Sequence, residues 1–273
     1  NWNGAKVWKD LTNQDLFSAA LEIHHVYTLC HDDLPSMDND EWRRGKYSVH
    51  KAYSPWKALL IGDGLINLSY EALWSLNHPN AQTVGRYFSH KLGPRGLIHG
   101  QYKDLSQEMK KSFADLLETH TLKTGHLIEV SLVGALYLSY NESPREKTAL
   151  QIEKLGQSVG ITFQLLDDLT ELTEKSELRG HEECVNPWPM TKRFQDCLET
   201  CVENLEIVAS LLQELNLTKG YTAKILSHYF HNTQKKIHSN RNNITSKLPQ
   251  EKTAEKDLSP LMTALNRLCE IQN

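Results

Sequence analysis

The sequence predicts an all-α protein, organised as a single domain over residues 1–273. Apolar residues recur at three- and four-residue spacing along most of the chain, which is the period of an amphipathic helix. No stretch alternates apolar and polar residues as a half-buried strand would. A hydrophobic content of 39% is enough to build a globular core.

The first predicted helix runs from Leu16 to His31, with Thr12 or Asn13 as its N-cap. Its interior is apolar, which predicts a buried helix. Pro35 disfavours helical geometry at Leu34, so we expect this helix to end or bend there.

The later helices are predicted from apolar periodicity and from cap residues. Ser112 is expected to cap one long helix that ends at Leu138, and Ser259 and Pro260 read as the N-cap and first residue of a short closing helix. A polar loop is expected over 238–256. The remaining helices are predicted over 56–76, 82–92, 96–107, 145–171, 194–215 and 223–237.

Composition excludes several classes of function. A net charge of −4 argues against a nucleic-acid partner held by bulk charge, and no apolar run approaches the ~18 residues of a transmembrane segment. Five cysteines, odd in number and without CxxC spacing, fit free thiols in a reducing compartment. We therefore expect a cytoplasmic protein.

The stretch that follows the first helix concentrates opposite charges. Asp32, Asp33 and Asp38 stand before Arg43 and Arg44. Mg²⁺ takes oxygen ligands and is commonly held by one or two carboxylates together with substrate phosphates. Arginine grips the same phosphates through two parallel hydrogen bonds. A solvated charged loop is the alternative for the acidic motif alone, and the arginine pair behind a buried helix favours a phosphate site.

Four motifs together resemble the trans-isoprenyl diphosphate synthase family, and bacterial-type farnesyl diphosphate synthases (geranyltranstransferases) in particular. The resemblance covers residues 16–171 and weakens beyond them. Two departures stand out: Glu171 replaces the usual last aspartate, and no lysine matches the loop that follows. The motifs are DDLPSMDNDEWRRGK from Asp32, GQYKDL from Gly100, KTG from Lys123 and FQLLDDLTE from Phe163.

The resemblance implies an isoprenoid synthase type I fold, a helical bundle around a central cavity, and a homodimer. It implies three Mg²⁺ ions, or Mn²⁺ in their place, bound with the diphosphate. The implied metal ligands are Asp32, Asp38 and Asp167, with Asp33, Asp168 and Glu171 in support. The implied catalytic residues are Asp32, Asp38, Arg43, Lys123 and Asp167. The implied substrate contacts are Arg43, Lys123, Thr124 and Gln164 for the allylic diphosphate, and His25 and Arg44 for isopentenyl diphosphate.

The function implied by the resemblance is short-chain trans-prenyl transfer, in which isopentenyl diphosphate condenses with dimethylallyl or geranyl diphosphate. Tyr27 lies five residues before Asp32, roughly 7 Å along the helix. A bulky aromatic there, together with the inserted Leu34-Pro35, resembles the bacterial-type farnesyl diphosphate synthases, so the resemblance implies a C15 product ahead of C10 and C20. The family's GGKR element has no match before Asp32, so we expect the N-terminal part of the family domain to be absent. A non-catalytic or regulatory homologue and a class I terpene-synthase-like lyase remain as alternatives.

Overall fold

The computed structural model describes residues 8, 10–172, 187–188, 193–247 and 257–270. They belong to two compact units. The first contains residues up to 95 together with 130–149, and the second contains 96–129 and the chain from 150 onward. The predicted single domain over 1–273 stays a prediction. Among the described helices, none has both the length and the hydrophobicity to cross a bilayer.

The first unit is built on the packing of α1 (Asn13–Asp32) against α3 (Pro55–Trp74). Thr12 caps α1 through a capping box with Asp15, so the predicted cap is confirmed and Thr12, the first of the two candidates, fills it. The helix ends before Pro35, also as predicted. The unit further contains α2 (Val49–Ala52), α4 (Ala81–Leu92) and most of α7 (His126–Leu138).

A short β-hairpin follows α1 and is a feature that the sequence did not predict. Strand β1 (Trp42–Arg43) pairs with β2 (Lys46–Tyr47) in antiparallel register. Arg44 and Gly45 form the turn with φ angles of 51° and 76°, and two left-handed residues are what a tight hairpin turn requires. Strands of two residues are too short to show an alternating pattern.

In α3 the glycines of Gly62-Asp63-Gly64 have different surroundings. Gly62 is buried against the imidazole of His31 from α1, and a Cβ at this position would overlap that ring. A Cβ on Gly64 would meet no atom within 4 Å. Close approach of α1 and α3 therefore depends on Gly62. The prediction that α3 is a core helix is only partly right, because Trp56, Leu59 and Leu60 are exposed.

The second unit differs from the predicted single helix between Ser112 and Leu138. Ser112 caps a helix as expected, because its side chain accepts from the Asp115 backbone N–H. That helix, α6 (Phe113–His120), continues through a π-helical turn over Thr121–Gly125 into α7. Such π turns occur often at functional sites. Before them lie α5 (Leu97–Leu105) and a 3₁₀ turn over Glu108–Lys110.

The rest of the second unit is helical. The helix α8 (Glu146–Glu171) carries the second acidic motif, and α12 (Ser259–Glu270) packs on both α9 (Phe194–Glu214) and α10 (Tyr221–Ser239). The indole of Trp188 is fully buried and donates to the carbonyl of Leu165 on α8 at 2.7 Å. This contact fixes the described residues 187–188 against the second acidic helix.

Two predicted boundaries in the C-terminal region are wrong. Within the expected polar loop over 238–256, α11 (Arg241–Lys247) forms and buries Ile244 completely, while 248–256 lie outside the described residues. Helix α12 already includes Ser259, so it begins one residue earlier than predicted, and the Ser259 N–H donates to the Asp257 carboxylate at 2.8 Å.

The described cysteines Cys30, Cys197, Cys201 and Cys269 are all free thiols, as expected, and Cys184 lies outside the described residues. Burial raises the pKa of Cys197 to about 12. A thiol with that pKa stays protonated, so this residue belongs to the core.

Candidate functional site

The predicted site residues fall into two groups, and the first half of them lies where α1 ends, in the first unit. The backbone N–H of Asp38 donates to the carbonyl of Asp32 at 2.9 Å, and Asn39, with a φ of 54°, donates to Leu34 at 3.0 Å. The chain therefore folds back on the end of the helix after Pro35. This turn brings Asp32 and Asp38, six residues apart in sequence, next to each other.

Arg43 is held beside these carboxylates. Its Nε donates to Oδ1 of the buried Asp33 at 2.9 Å, and a second guanidinium nitrogen contacts the same oxygen. The Asp40 carboxylate lies 3.8 Å away. The hydrogen bond to Asp33, together with the neighbouring carboxylates, raises the pKa of Arg43. Asp33 thus orients the guanidinium, while the side chain of Arg43 keeps a third of its surface exposed.

Arg44 and His25 complete the predicted substrate contacts of this half. Arg44 is exposed at the tip of the hairpin, and His25 is half-buried on α1. Burial lowers the pKa of His25, and the positive charges of Arg44 and Arg43 lower it further while Glu22 opposes them. The three side chains are therefore within electrostatic range of one another, and His25 is the neutral member of a cationic group.

Tyr27 lies in an aromatic cluster below these residues on α1. Its ring meets that of His24 edge to face at 4.5 Å, and the imidazole of His24 meets Phe88 at 5.0 Å. Burial raises the pKa of Tyr27 to about 12, so the phenol is neutral. The sequence singled out Tyr27 and missed His24 and Phe88, because their packing against it comes only from the fold.

The second half of the predicted site residues lies in the second unit, on α8 and the π turn. Thr124 donates to the side-chain oxygen of Gln164 at 3.1 Å, and the amide nitrogen of Gln164 donates to Asp168 at 3.2 Å. Three residues that the sequence predicted separately are thus joined in one hydrogen-bonded chain. A Cβ on Gly160 would overlap the backbone of Gly125, so both glycines allow α8 to approach the π turn.

The carboxylates of this half differ in their surroundings. Asp167 is exposed, whereas Asp168 is mostly buried. Burial raises the pKa of the Asp168 carboxyl well above its usual range, and the charges of Glu171, Asp167 and Asp104 raise it further. A hydrogen bond from Gln164 opposes this rise, and a bound cation would lower the pKa and favour the ionised carboxylate.

Lys123 and His120 stand next to this cluster. Lys123 donates to Asp104 on α5 at 2.5 Å, and Nε2 of His120 lies 3.8 Å from Asp168. Burial lowers the pKa of His120 to about 4, so the ring is neutral. The sequence identified Lys123 but not His120, and it gave Asp104 no part in the site beyond its place in GQYKDL.

Comparison with known proteins decides the family. The polyprenyl synthetase family model matches residues 4–185, about two thirds of the chain. The chain belongs to the polyprenyl synthetase family.

Relatives and solved structures agree with this family. The chain is 38% identical over 164 residues to a farnesyl diphosphate synthase of Buchnera aphidicola and 36% identical over 168 residues to one of Micrococcus luteus. These segments cover 58% and 60% of this chain but only 55% and 56% of the two relatives. The chain thus spans about half the length of the curated relatives that it matches.

A geranyltransferase structure from Legionella pneumophila superposes with a TM-score of 0.64 and 29% identity, covering 87% of this chain and 80% of that one. A geranyltransferase from Helicobacter pylori, complexed with magnesium and isoprenyl diphosphate, gives a TM-score of 0.62 at 28% identity, covering 78% of this chain and 76% of that one. These matches confirm the predicted all-α isoprenoid synthase fold.

In this chain the carboxylates fit Mg²⁺ by their chemistry. Within the described ranges, no three His, Cys, Asp or Glu side chains form a ready-made metal cluster. Mg²⁺ does not require one, because one or two carboxylates with phosphates and waters suffice. Asp32 is the last residue of α1, where the negative end of the helix dipole disfavours an added carboxylate. A cation bound there would be stabilised both by the carboxylate and by the helix dipole.

Proposed function

We propose that the protein is a short-chain trans-prenyltransferase that condenses isopentenyl diphosphate with dimethylallyl or geranyl diphosphate to give farnesyl diphosphate. The observation that carries the proposal is the cluster after α1, where Asp33 orients Arg43 beside the adjacent Asp32 and Asp38. The relatives named farnesyl diphosphate synthase and geranyltransferase support the same substrate class.

In the first unit, Arg43 binds the allylic diphosphate, and Asp32 and Asp38 hold its metal ions. Asp33 holds the guanidinium in place, so that little conformational freedom is lost when the phosphate arrives. Arg44 and neutral His25 bind isopentenyl diphosphate, the first by charge and the second by a hydrogen bond. The lowered pKa of His25 keeps its ring uncharged at neutral pH.

In the second unit, Lys123 and Thr124 bind the allylic diphosphate and Gln164 orients Thr124. Asp167 is the exposed metal ligand of this half, and Asp168 and Glu171 support it. When bound, three Mg²⁺ ions would stabilise the negative charge that develops on the departing diphosphate. Mn²⁺ would supply the same chemistry.

The aromatic cluster around Tyr27 sets the product length. Tyr27, His24 and Phe88 are all buried and pack on one another, so a growing chain that extends from the first acidic motif along α1 would meet an aromatic floor. Such a wall also excludes water, which would otherwise quench the allylic cation. A floor roughly 7 Å below Asp32 fits a C15 chain.

We further propose that the protein is a homodimer that works in the cytoplasm. Trp56, Leu59 and Leu60 lie on one face of α3 and are each at least 45% exposed, which is unusual for a surface that faces water throughout. The free described cysteines fit a reducing compartment.

The proposal is tested by incubating the full chain with Mg²⁺, labelled isopentenyl diphosphate and either allylic diphosphate, and by sizing the products after phosphatase treatment. We expect a C15 alcohol, and we expect Asp32→Ala to lower its rate by about a hundredfold or more. The matched control is Glu41→Gln, which changes a neighbouring acid that pairs with Lys51, and which we expect to keep activity within about twofold.

Two other outcomes would overturn the proposal. Release of a hydrocarbon or alcohol from the allylic diphosphate without incorporation of isopentenyl diphosphate would identify a lyase. No turnover of either substrate would identify a non-catalytic or regulatory homologue.

A further inference from the structure

A cavity of about 700 Å³ lies in the second unit, between the last turns of α8 and one face of α10. Its volume is that of a small-molecule site. Helix α8 contributes Asp167 and Thr170 to its wall, and α10 contributes Lys224, His228 and Lys236.

The two walls carry opposite charge. Lys224, His228 and Lys236 are spaced by four and eight residues, so they follow one stripe of α10. All three side chains are exposed, whereas Ala223, Phe230 and Ile237 on the other side of the helix are buried in the core. The exposed carboxylate of Asp167 belongs to the facing wall.

The relative position of the two walls is fixed by aromatic packing. Tyr229 of α10 stacks on Phe163 of α8 with ring centroids 4.9 Å apart, and its hydroxyl donates to the Phe163 carbonyl at 3.4 Å. Phe163 precedes Gln164, the residue that contacts Thr124 and Asp168. The cationic stripe of α10 is therefore anchored directly to the second acidic motif.

The charged residues of the two walls suit a ligand that carries both signs of charge. A bare anion would be repelled by Asp167 and a bare cation by the lysines, whereas a metal-bound diphosphate presents its metal to carboxylates and its remaining oxygens to cations. We propose that Lys224, His228 and Lys236 bind the oxygens of a diphosphate whose metal ion is held by Asp167. This assignment rests on the proposed function and adds residues to its second half-site.

The spacing of the stripe defines how the ligand is held. Lys224 and Lys236 are 12 residues apart, about 18 Å along the helix axis. The Nζ of Lys224 lies over the Tyr221 ring, 6.0 Å from its centroid, so this flexible side chain has to turn toward His228 when the ligand binds, whereas Lys236 lies on the far side of His228.

The inference is tested by isothermal titration of inorganic pyrophosphate, with Mg²⁺, into the full chain. We expect Lys224→Ala combined with Lys236→Ala to weaken pyrophosphate binding by about tenfold or more, because two charge-assisted contacts are lost. The matched control is Lys235→Ala, which removes the same charge from the next residue of the helix and should keep the Kd within about twofold. Equal melting temperatures of all variants establish that they are folded.

The metal bridge has its own readout. Removing Mg²⁺ with EDTA, or changing Asp167→Ala, should reduce the affinity of the wild-type stripe for pyrophosphate. Unchanged affinity in the double lysine variant would overturn the assignment of the stripe, and binding unaffected by both EDTA and Asp167→Ala would overturn the bridge.

This binding test is separate from the test of the proposed function, because pyrophosphate binding involves no turnover. Suppose that the wild-type chain does not incorporate isopentenyl diphosphate, while the double lysine variant binds pyrophosphate more weakly than the wild type. The assignment of the stripe would then stand, and the proposed reaction would fail. If the wild-type chain is active and the double lysine variant binds pyrophosphate as the wild type does, the proposed reaction would stand and the assignment of the stripe would fail.

Discussion

At the residue scale, the ion pair between Lys123 and Asp104 controls where the ammonium group points. Both side chains are about 28–29% exposed, and their atoms are 2.5 Å apart. Changing Asp104→Asn removes the charge that holds Lys123 but keeps the shape of the side chain. We expect kcat/KM for the allylic diphosphate to fall by roughly tenfold, the value of one charge-assisted hydrogen bond. Steady-state kinetics with each substrate varied in turn measures it.

The neighbouring residue supplies the control for this prediction. Lys103, also on α5, contacts Glu118 at the same 2.5 Å but is not a predicted site residue. Glu118→Gln should therefore alter stability more than kcat/KM. Equal losses of activity in Asp104→Asn and Glu118→Gln would mean that Asp104 acts only by stabilising α5.

Tyr27 leads to a prediction about product length. Changing Tyr27→Ala removes a buried ring from the aromatic floor, so we expect chains longer than C15, detected by sizing the dephosphorylated products. The control Tyr27→Phe keeps the ring and should keep C15 as the product. Unchanged C15 output from a folded Tyr27→Ala variant would contradict the role of this floor.

The site residues divide by how their signal arises. Lys123, Thr124, Gln164 and the acidic residues stand in contiguous motifs, so the sequence was enough to propose them. His120 and Phe88 carry no motif, and Asp104 acquires its role only when α5 packs beside the π turn. Their contributions depend on tertiary contacts, which spacing along the chain does not encode.

At the element scale, the approach of α8 to the π turn depends on Gly160. Changing Gly160→Ala would place a Cβ in overlap with the Gly125 backbone, which cannot rotate away as a side chain can. We expect the free energy of unfolding to fall by about 1–3 kcal/mol, the typical cost of overpacking. Urea denaturation measures it.

The control for this substitution is Gly64→Ala on α3, where the new methyl group would have open space around it. Alanine is the better helix former, so this variant should gain up to about 1 kcal/mol. If Gly64→Ala lowers the free energy of unfolding as much as Gly160→Ala does, overlap with the Gly125 backbone would not be the cause of the loss in Gly160→Ala.

The elements themselves were predictable to different degrees. The capping box at Thr12 and the apolar stripe of α9 are local signals, and both helices formed as expected. The hairpin depends on Arg44 accepting a left-handed φ, which is uncommon for a residue other than glycine. The residues Thr121–Gly125 carry no signal that distinguishes a π turn from an ordinary α-helix. The helix α11 has a single apolar side chain, Ile244, so it shows no apolar periodicity and depends on the burial of that residue. Such features follow from tertiary packing.

At the scale of the whole molecule, we expect acid to destabilise the fold through buried neutral histidines. Burial lowers the pKa of His24 to about 4 from an ordinary 6.5. The unfolded chain therefore binds a proton that the folded chain resists, and stability is full above pH 6.5 and falls as the pH drops toward 4. His24 alone accounts for roughly 3 kcal/mol of that loss.

Denaturant unfolding at a series of pH values tests this expectation. His24→Phe keeps an aromatic ring in the cluster and removes the titrating group, so its stability should fall less steeply between pH 6.5 and 4. Parallel curves for the wild type and His24→Phe would show that His24 does not contribute. In the His24→Phe variant the free energy of unfolding should still fall somewhat with decreasing pH, because the pKa of His120 in the second unit is also lowered to about 4.

Self-association is the second prediction at this scale. If the exposed face of α3 joins two copies, Trp56→Glu combined with Leu60→Glu should convert the dimer to a monomer in sedimentation velocity. Leu150→Glu, a similarly exposed position on α8, should leave the dimer intact. A wild-type chain that sediments as a monomer would contradict the homodimer.

The contrast between Gly62 and Gly64 has a consequence for natural variation. Two glycines one residue apart on one helix look equivalent in a single sequence, but only Gly62 touches another helix, through the ring of His31. In a saturation library selected for folded protein, position 62 should return mainly glycine, because a larger residue must displace the His31 ring from its hydrogen bond to the Leu59 carbonyl, while position 64 should accept most side chains. A smaller residue at position 31 would remove that displacement, so the two positions should vary together across lineages.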